Sequence, residues 1–304
     1  MSSFEGIHTI LYAMFGRDGG LDRDAMRLQV EACVAGGADG IAVLGLATEV
    51  SKLSVAERRT VVEWAQEDLR GRLPLAVTVF GRTPEVQIEA LRHAEVAGAR
   101  WAVLQPPPEP GMGEDALMRF FGTVIDVAGI PVGLQNAPGL MGVGFSVAGL
   151  GEMARRHANL VVLKAEGPAT EISDVVEATR GRVAVLNGRG GLELPDNFRA
   201  GAAGMIPAPD CFDLLVAAWG RMRMGDLEGG ERLYGEALPV IAFAMQGVDH
   251  LVCYGKRVVA GRLGLGEVFD RAPGVSPTAF GLAAVARFVG RLGPYPVLGR
   301  DVSG

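Results

Sequence analysis

Cysteine is scarce in this sequence. Three residues, Cys33, Cys211 and Cys253, stand at unrelated spacings among 304. An odd, scattered set fits neither a disulfide framework nor a zinc site and reads as small buried thiols of a reducing, cytoplasmic setting. Basic charge is not in excess either: 29 Lys and Arg face 35 Asp and Glu, a net charge of −6. No face is expected that neutralises phosphates, which excludes nucleic acid as a partner. No apolar run reaches the roughly 18 residues of a membrane span, and the N-terminus, MSSFEGIHTI, has no basic segment leading into an apolar one. Neither a membrane anchor nor a signal peptide is expected. Histidine is limited to His8, His93, His157 and His250, far apart in sequence. The patterns GxxxxGK[ST], HExxH and CxxC are absent, so phosphate-loop, zinc-hydrolase and dithiol chemistry are set aside. Carboxylate pairs placed to hold Mg²⁺ are missing too, and no metal site is expected.

Glycine, by contrast, is abundant, with 44 residues, about twice the usual share of roughly 7%. The glycines fall between apolar runs and so punctuate turns. Hydrophobic residues make up 49% of the chain, enough for a large core and too many for a disordered chain. Short β-branched runs at 7–14, 40–44, 75–79, 101–105, 131–135, 160–164, 183–187 and 204–206 alternate with segments whose apolar residues recur every three or four positions. Ser54 with Glu57 reads as a capping box, and Pro84 as a first helical residue. Gly36-Gly37, Gly98 and Gly201 mark helix exits that lead straight into the next strand.

Eight strands apolar enough to be buried on both faces, each followed by a helix, predict a parallel sheet. Eight such units in about 220 residues predict an α/β fold closed as a (β/α)8 TIM barrel. An open sheet binding a dinucleotide would need a glycine fingerprint after the first strand, and none is there. Strand signals stop after Asp226, which divides the chain into a barrel at 1–226 and a helical extension at 227–304.

In such barrels chemistry sits at the C-terminal strand ends. Lys164 ends the apolar run Leu160-Val161-Val162-Leu163 there. A partly desolvated amine at that place can attack a carbonyl; a lysine reaching out to solvent satisfies the same spacing. Glu166, two residues on, points to the same side if the chain stays extended. It is either a proton-transfer group or a solvated loop carboxylate. The turn Gly45–Thr48 offers backbone N–H groups to an anion, with Glu49 beside it at a helix entrance, where it could act on the helix dipole. Arg189, in the glycine-rich loop after the seventh strand, is a candidate anion partner. By elimination, cofactor-free carbonyl chemistry on a lysine is the leading enzymatic reading.

These motifs, in this order, resemble the dihydrodipicolinate synthase/N-acetylneuraminate lyase family of class I, Schiff-base-forming lyases. The resemblance runs from Gly6 to about Leu227. The family's Gly-Thr-Thr-Gly-Glu turn is matched by Gly45-Leu46-Ala47-Thr48-Glu49, its Tyr-Asn-Val-Pro-Gly by Gln135-Asn136-Ala137-Pro138-Gly139, and its strand-six lysine segment by Lys164-Ala165-Glu166. It implies a barrel, a small 2-keto acid substrate held as an imine on Lys164, no separate cofactor, and a homotetramer or dimer. Four departures stand out. Gln135 replaces the acid–base tyrosine, Leu46 replaces a relay threonine, the segment at Pro107-Pro108 lacks a second tyrosine, and Leu140 replaces an arginine for a second carboxylate. An amide cannot act as a general acid or base near neutrality.

The 2-keto-3-deoxy-L-arabonate dehydratase branch looks closer. It carries Gln-Asp-Ala-Pro where Gln135-Asn136-Ala137-Pro138 stands, Lys-x-Glu and a following Pro as in Lys164-Ala165-Glu166-Gly167-Pro168, and a Pro-Pro pair as in Pro106-Pro107. Asn136 here takes the place of that branch's acid. The resemblance thus implies a hydro-lyase acting on a 2-keto-3-deoxy sugar acid of pentonate type. Lys164 would be the nucleophile, Glu166 the proton carrier and Gln135 an orienting group. Leu46, Ala47, Thr48, Asn136, Gly188 and Ile206 would line the substrate site, with the Thr48 hydroxyl on the carboxylate. The alternatives are a pyruvate-dependent aldolase or synthase of the same family, and a non-catalytic binding barrel whose relay has decayed.

Overall fold

A computed structural model describes residues 4–296. Eight parallel strands close on themselves in sequence order, β1 pairing with both β2 and β8. The strands and helices follow the expected alternation: β1 (Gly6–Ile10), α1 (Arg23–Ala35), β2 (Gly40–Val43), α2 (Val55–Leu69), β3 (Leu75–Val79), α3 (Pro84–Val96), β4 (Trp101–Leu104), α4 (Glu114–Ile125) and β5 (Val132–Asn136). Two helices, α5 (Pro138–Met141) and α6 (Val147–Arg156), precede β6 (Leu160–Ala165). Then come α7 (Ala169–Thr179), β7 (Ala184–Asn187), α8 (Leu194–Arg199), β8 (Gly204–Met205) and α9 (Phe212–Arg223). The C-terminal part is helical: α10 (Leu227–Ala244), α11 (Val248–His250), a π-helical turn Leu251–Gly255, α12 (Lys256–Leu263) and α13 (Ala279–Leu292). No single helix among the described residues is long and apolar enough to cross a membrane.

The local signals act as expected. The Ser54 hydroxyl accepts from Glu57 N–H while the Glu57 carboxylate accepts from Ser54 N–H, a full capping box on α2. Pro84 opens α3 after the Thr83 cap. Gly37, Gly98 and Gly201 adopt the left-handed conformation the helix exits need. All three cysteines are free and buried.

Three differences bear on the site. The first strand is shorter than its apolar run, because Leu11–Phe15 continues as an irregular buried segment at the barrel mouth. Within the helical extension, the π-helical turn interrupts the run between α11 and α12. An unforeseen helical turn, α5, follows β5 and carries Leu140. At the predicted boundary, Asp226 caps α10 by accepting from Gly229 N–H, and no extended linker intervenes. Tyr234, Ala237 and Ile241 of α10 share one apolar cluster with Ile7 of β1 and Met205 of β8.

Closure rests on a close backbone approach. A Cβ on Gly204 would lie 1.9 Å from the Gly6 carbonyl oxygen. Any side chain there pushes β8 off β1, and because a barrel has no free edge the displacement opens the seam. Gly204→Ala should therefore cost about 3 kcal/mol or more in urea unfolding. Gly220→Ala on α9, where an added Cβ meets nothing within 4 Å, should instead gain up to about 1 kcal/mol.

Candidate active site

β5 and β6 pair with Gln135 opposite Lys164 and Asn136 opposite Ala165. Register partners share a face of the sheet, and residues two apart on one strand share it as well. Lys164, Gln135 and Glu166 therefore emerge together at the C-terminal mouth. Glu166 N–H donates to the Asn136 carbonyl at 3.0 Å, which carries the ladder one residue beyond β6. The result is a compact triad in which Lys164 Nζ and Gln135 Nε2 both donate to Glu166 Oε1, each at 2.8 Å. The Lys164 and Glu166 side chains are only 5% and 6% exposed, and Gln135 is fully buried. Gln135 Oε1 has no partner among the described residues. It is a buried acceptor left free beside the ion pair.

The amine opens into a cavity of about 40 Å³, enough for a few waters, bounded by Leu46, Ala47 and Ile206 among others. The backbone N–H groups of Leu46, Ala47 and Thr48 make no hydrogen bond among the described residues. Three consecutive free donors in a turn form a concavity suited to a carboxylate. Strain collects around this cavity. Of the six non-glycine residues with positive φ among the described residues, Leu44 and Glu49 flank the β2 turn, and Arg189 and Glu193 lie in the loop after β7.

Several expectations need correction. The Thr48 hydroxyl is not available to a substrate: it donates to the Leu11 carbonyl at 2.6 Å, in full burial. Asn136 does not reach the cavity. Its Nδ2 donates to Phe145 O at 3.2 Å and its Oδ1 accepts from Phe145 N–H at 2.8 Å, so both ends of the amide pin the segment after α5. Gly188 does not bound the cavity but makes room beside it, since a Cβ there would fall 2.8 Å from Glu166 Cδ. Glu49 is not a solvated group at a helix entrance. Its carboxylate, 1% exposed, is shared by Lys256 and by Lys52, the latter at 2.6 Å. Arg189 does border the cavity, with Nη1 on Glu193 Oε2 at 2.6 Å.

Lys256 could not have been singled out from sequence, because it sits in an unremarkable run, Gly255-Lys256-Arg257. In the fold it is fully buried, over the Phe15 ring and on Glu49, and burial lowers its pKa. It ties α12 to the turn after β2 whose N–H groups are free. Asn187 was visible only as a strand end. Its Nδ2 donates to Gly167 O at 3.0 Å and to Asn197 Oδ1 at 2.8 Å, clamping the loop after β6 to α8. Asp210, in the turn after β8, is buried with Oδ1 unpartnered, and desolvation pushes its pKa up to about 7.

The sequence pattern of the Dihydrodipicolinate synthetase family matches residues 3–215. The chain belongs to this family. A 4-hydroxy-tetrahydrodipicolinate synthase of Methanoculleus marisnigri is 30% identical over 244 residues, which span 78% of this chain and 83% of that one. The fold superposes on a crystal structure of a proposed dihydrodipicolinate synthetase from Pseudomonas aeruginosa with TM-score 0.89 and 27% identity, over 95% of this chain and 99% of that one. YagE, a prophage protein of the dihydrodipicolinic acid synthase family from E. coli K12 solved in complex with pyruvate, superposes with TM-score 0.86 at 22% identity, over 95% and 98% of the two chains. Family membership makes this chain a Schiff-base-forming lyase, a class whose lysine carries a keto acid without an added cofactor.

The charges around the site lead to two expected outcomes. Glu49→Gln leaves Lys256 buried with only Asp270, at 3.8 Å, as a counter-charge and should cost about 3 kcal/mol in urea unfolding. Asp210 ionises near its ordinary value of 3.8 in the unfolded chain and near 7 in the folded one. Folding thus takes up a proton in between, and stability falls as pH rises from about 4 to about 7. Asp210→Asn should remove that slope from a pH series of unfolding midpoints.

Proposed function

We propose that Lys164 forms the imine and that Glu166 moves the protons, in a reaction that dehydrates a 4-hydroxy-2-keto acid. The observation that carries this reading is the single oxygen, Glu166 Oε1, held by both Lys164 Nζ and Gln135 Nε2 at 2.8 Å. A 2-keto-3-deoxypentonate is the example that the resembled branch offers.

The substrate carboxylate would rest on the free N–H groups of the Leu46–Thr48 turn, which brings C2 to the amine. Lys164 first gives a proton to Glu166 along their hydrogen bond, and the neutral amine adds to the C2 ketone. The carbinolamine hydroxyl takes the proton back from Glu166 and leaves as water, giving an iminium that withdraws electrons from C3. Glu166, as carboxylate, then removes a C3 proton to give an enamine. The enamine expels the C4 hydroxyl, which leaves as water with the proton Glu166 has just taken. The conjugated imine that results is hydrolysed to free the product and the amine. Gln135 cannot titrate. Its Nε2 fixes which way the carboxylate faces.

A pyruvate-dependent aldolase or synthase uses the same imine and enamine, and the relatives named as synthases favour that second reading. Against lysine-type condensation stand the chemical gaps at Gln135, Leu46 and Leu140. A binding barrel without proton transfer has less support, because a carboxylate stands within hydrogen-bond distance of the amine. The free buried thiols suit a reducing cytoplasm, and we propose the homotetramer or dimer that the resemblance implies.

Borohydride reduction in the presence of a 2-keto acid should place the added mass on Lys164, and Lys164→Ala should take up none and turn nothing over. Glu166→Gln should still trap substrate but lose about 10²–10⁴ in kcat. A Glu166→Gln enzyme of near-native kcat would remove the carboxylate from the mechanism. Dehydration keeps every carbon in one product, whereas cleavage releases pyruvate.

A further inference from the structure

Beyond the groups assigned to C2, C3 and the carboxylate, the cavity offers a substrate very little polarity. Its remaining wall is built from Leu46, Leu140, Ile206, Met245, Val248 and Leu251. Of the polar side chains around this wall, Arg189 gives Nη1 to Glu193 at 2.6 Å, the Thr48 hydroxyl donates to Leu11 O, and the Tyr254 hydroxyl lies against Thr278. Met245 reaches the cavity because Gly190 has no side chain, a Cβ there falling 2.6 Å from Met245 Cγ. Leu140 is 44% exposed at the rim, an apolar side chain where a polar one would have cost nothing.

An unpaired hydroxyl seated against such a wall weakens binding roughly tenfold to a hundredfold. A methylene or methyl group in the same place strengthens it about fourfold. We infer that the substrate carries an apolar group on C4, a short alkyl tail in place of the hydroxylated end of a sugar acid. The inference rests on the imine at Lys164 and is independent of whether the C4–O or the C3–C4 bond breaks. In the elimination the C3–H and C4–O bonds break, a C3=C4 double bond forms, and water leaves with both fragments. The product is a 2-keto-3-enoate, with no change of oxidation state overall.

The test uses two substrates that differ by one isosteric exchange at the tail, 4-hydroxy-2-oxohexanoate, ending in methyl, and 4,5-dihydroxy-2-oxopentanoate, ending in hydroxyl. With the wild-type chain, kcat/KM for the first should exceed the second by at least about tenfold, and borohydride trapping on Lys164 should saturate at a lower concentration of it. Leu140→Asn should move the ratio toward the dihydroxy acid. Equal values, or a preference for the dihydroxy acid, would overturn the apolar tail while leaving the imine standing, as would a ratio that Leu140→Asn does not move. Absence of any adduct on Lys164 with either acid would instead overturn the Schiff-base reading, and the apolar tail with it.

Discussion

An ammonium group enclosed at the mouth of an apolar barrel has to be neutralised locally, and much of the site's construction answers that need. Lys164 is carried there by β6, whose other side chains are Leu, Val and Ala. The nearest carboxylate is on the same strand direction two residues later, so one extended backbone supplies both charges. An i, i+2 pair of this kind forms without any tertiary adjustment other than continued extension, which the Glu166 N–H bond to Asn136 O secures. The cost of desolvating the two ions is set against an attraction strengthened by the same burial, and it is met only with further hydrogen bonds. Gln135 supplies one of these, because register places it opposite Lys164. Gly188 supplies space.

A second enclosed ion cluster supports the opposite side of the cavity. Glu49 is held in a left-handed conformation at the end of the turn after β2, and Lys256 and Lys52 share its carboxylate. Lys52 Nζ also donates to the Arg271 carbonyl at 3.1 Å, and Arg271 pairs with Glu57 of α2. The turn that offers its N–H groups to a substrate is thus anchored to the C-terminal helices. Those helices also contribute Met245, Val248 and Leu251 to the wall. The helical extension is therefore part of the site's geometry, through charge on one side and apolar contact on the other.

The barrel was legible because most strands are short runs rich in Val, Leu, Ile or Ala and the exits of α1, α3 and α8 carry a glycine that turns left-handed. The Lys164–Glu166 relation was legible because strand periodicity is strict. Other features turn on contacts between residues far apart in sequence. Thr48 and Asn136 have side chains suited to a ligand, yet backbone groups that happen to lie nearby in the fold satisfy them first: Leu11 O for the one and both polar atoms of Phe145 for the other. Lys256 follows a helical pattern that would place a lysine in solvent. Only the π-helical turn before it, and the irregular Leu11–Phe15 segment beneath it, create the enclosed place it fills. The α5 turn escaped because four residues, Pro138–Met141, are too few for periodicity to register.

The departures from the family's usual residues are coupled. A tyrosine at position 135 could titrate by itself; an amide there cannot, but it can orient a carboxylate that does. In the proposed mechanism proton traffic concentrates on Glu166, and a relay threonine would have nothing to pass on, so an apolar residue at Leu46 would carry no chemical penalty. Once Leu46 is apolar, polar groups further out would face an unpaired wall, and Leu140 at the rim continues the same surface. Read as single substitutions, these changes look like decay of a catalytic relay. Taken with the geometry of the triad, they describe one exchange, in which a relay of hydroxyls gives way to one carboxylate held by an amide and a cavity lined with hydrocarbon.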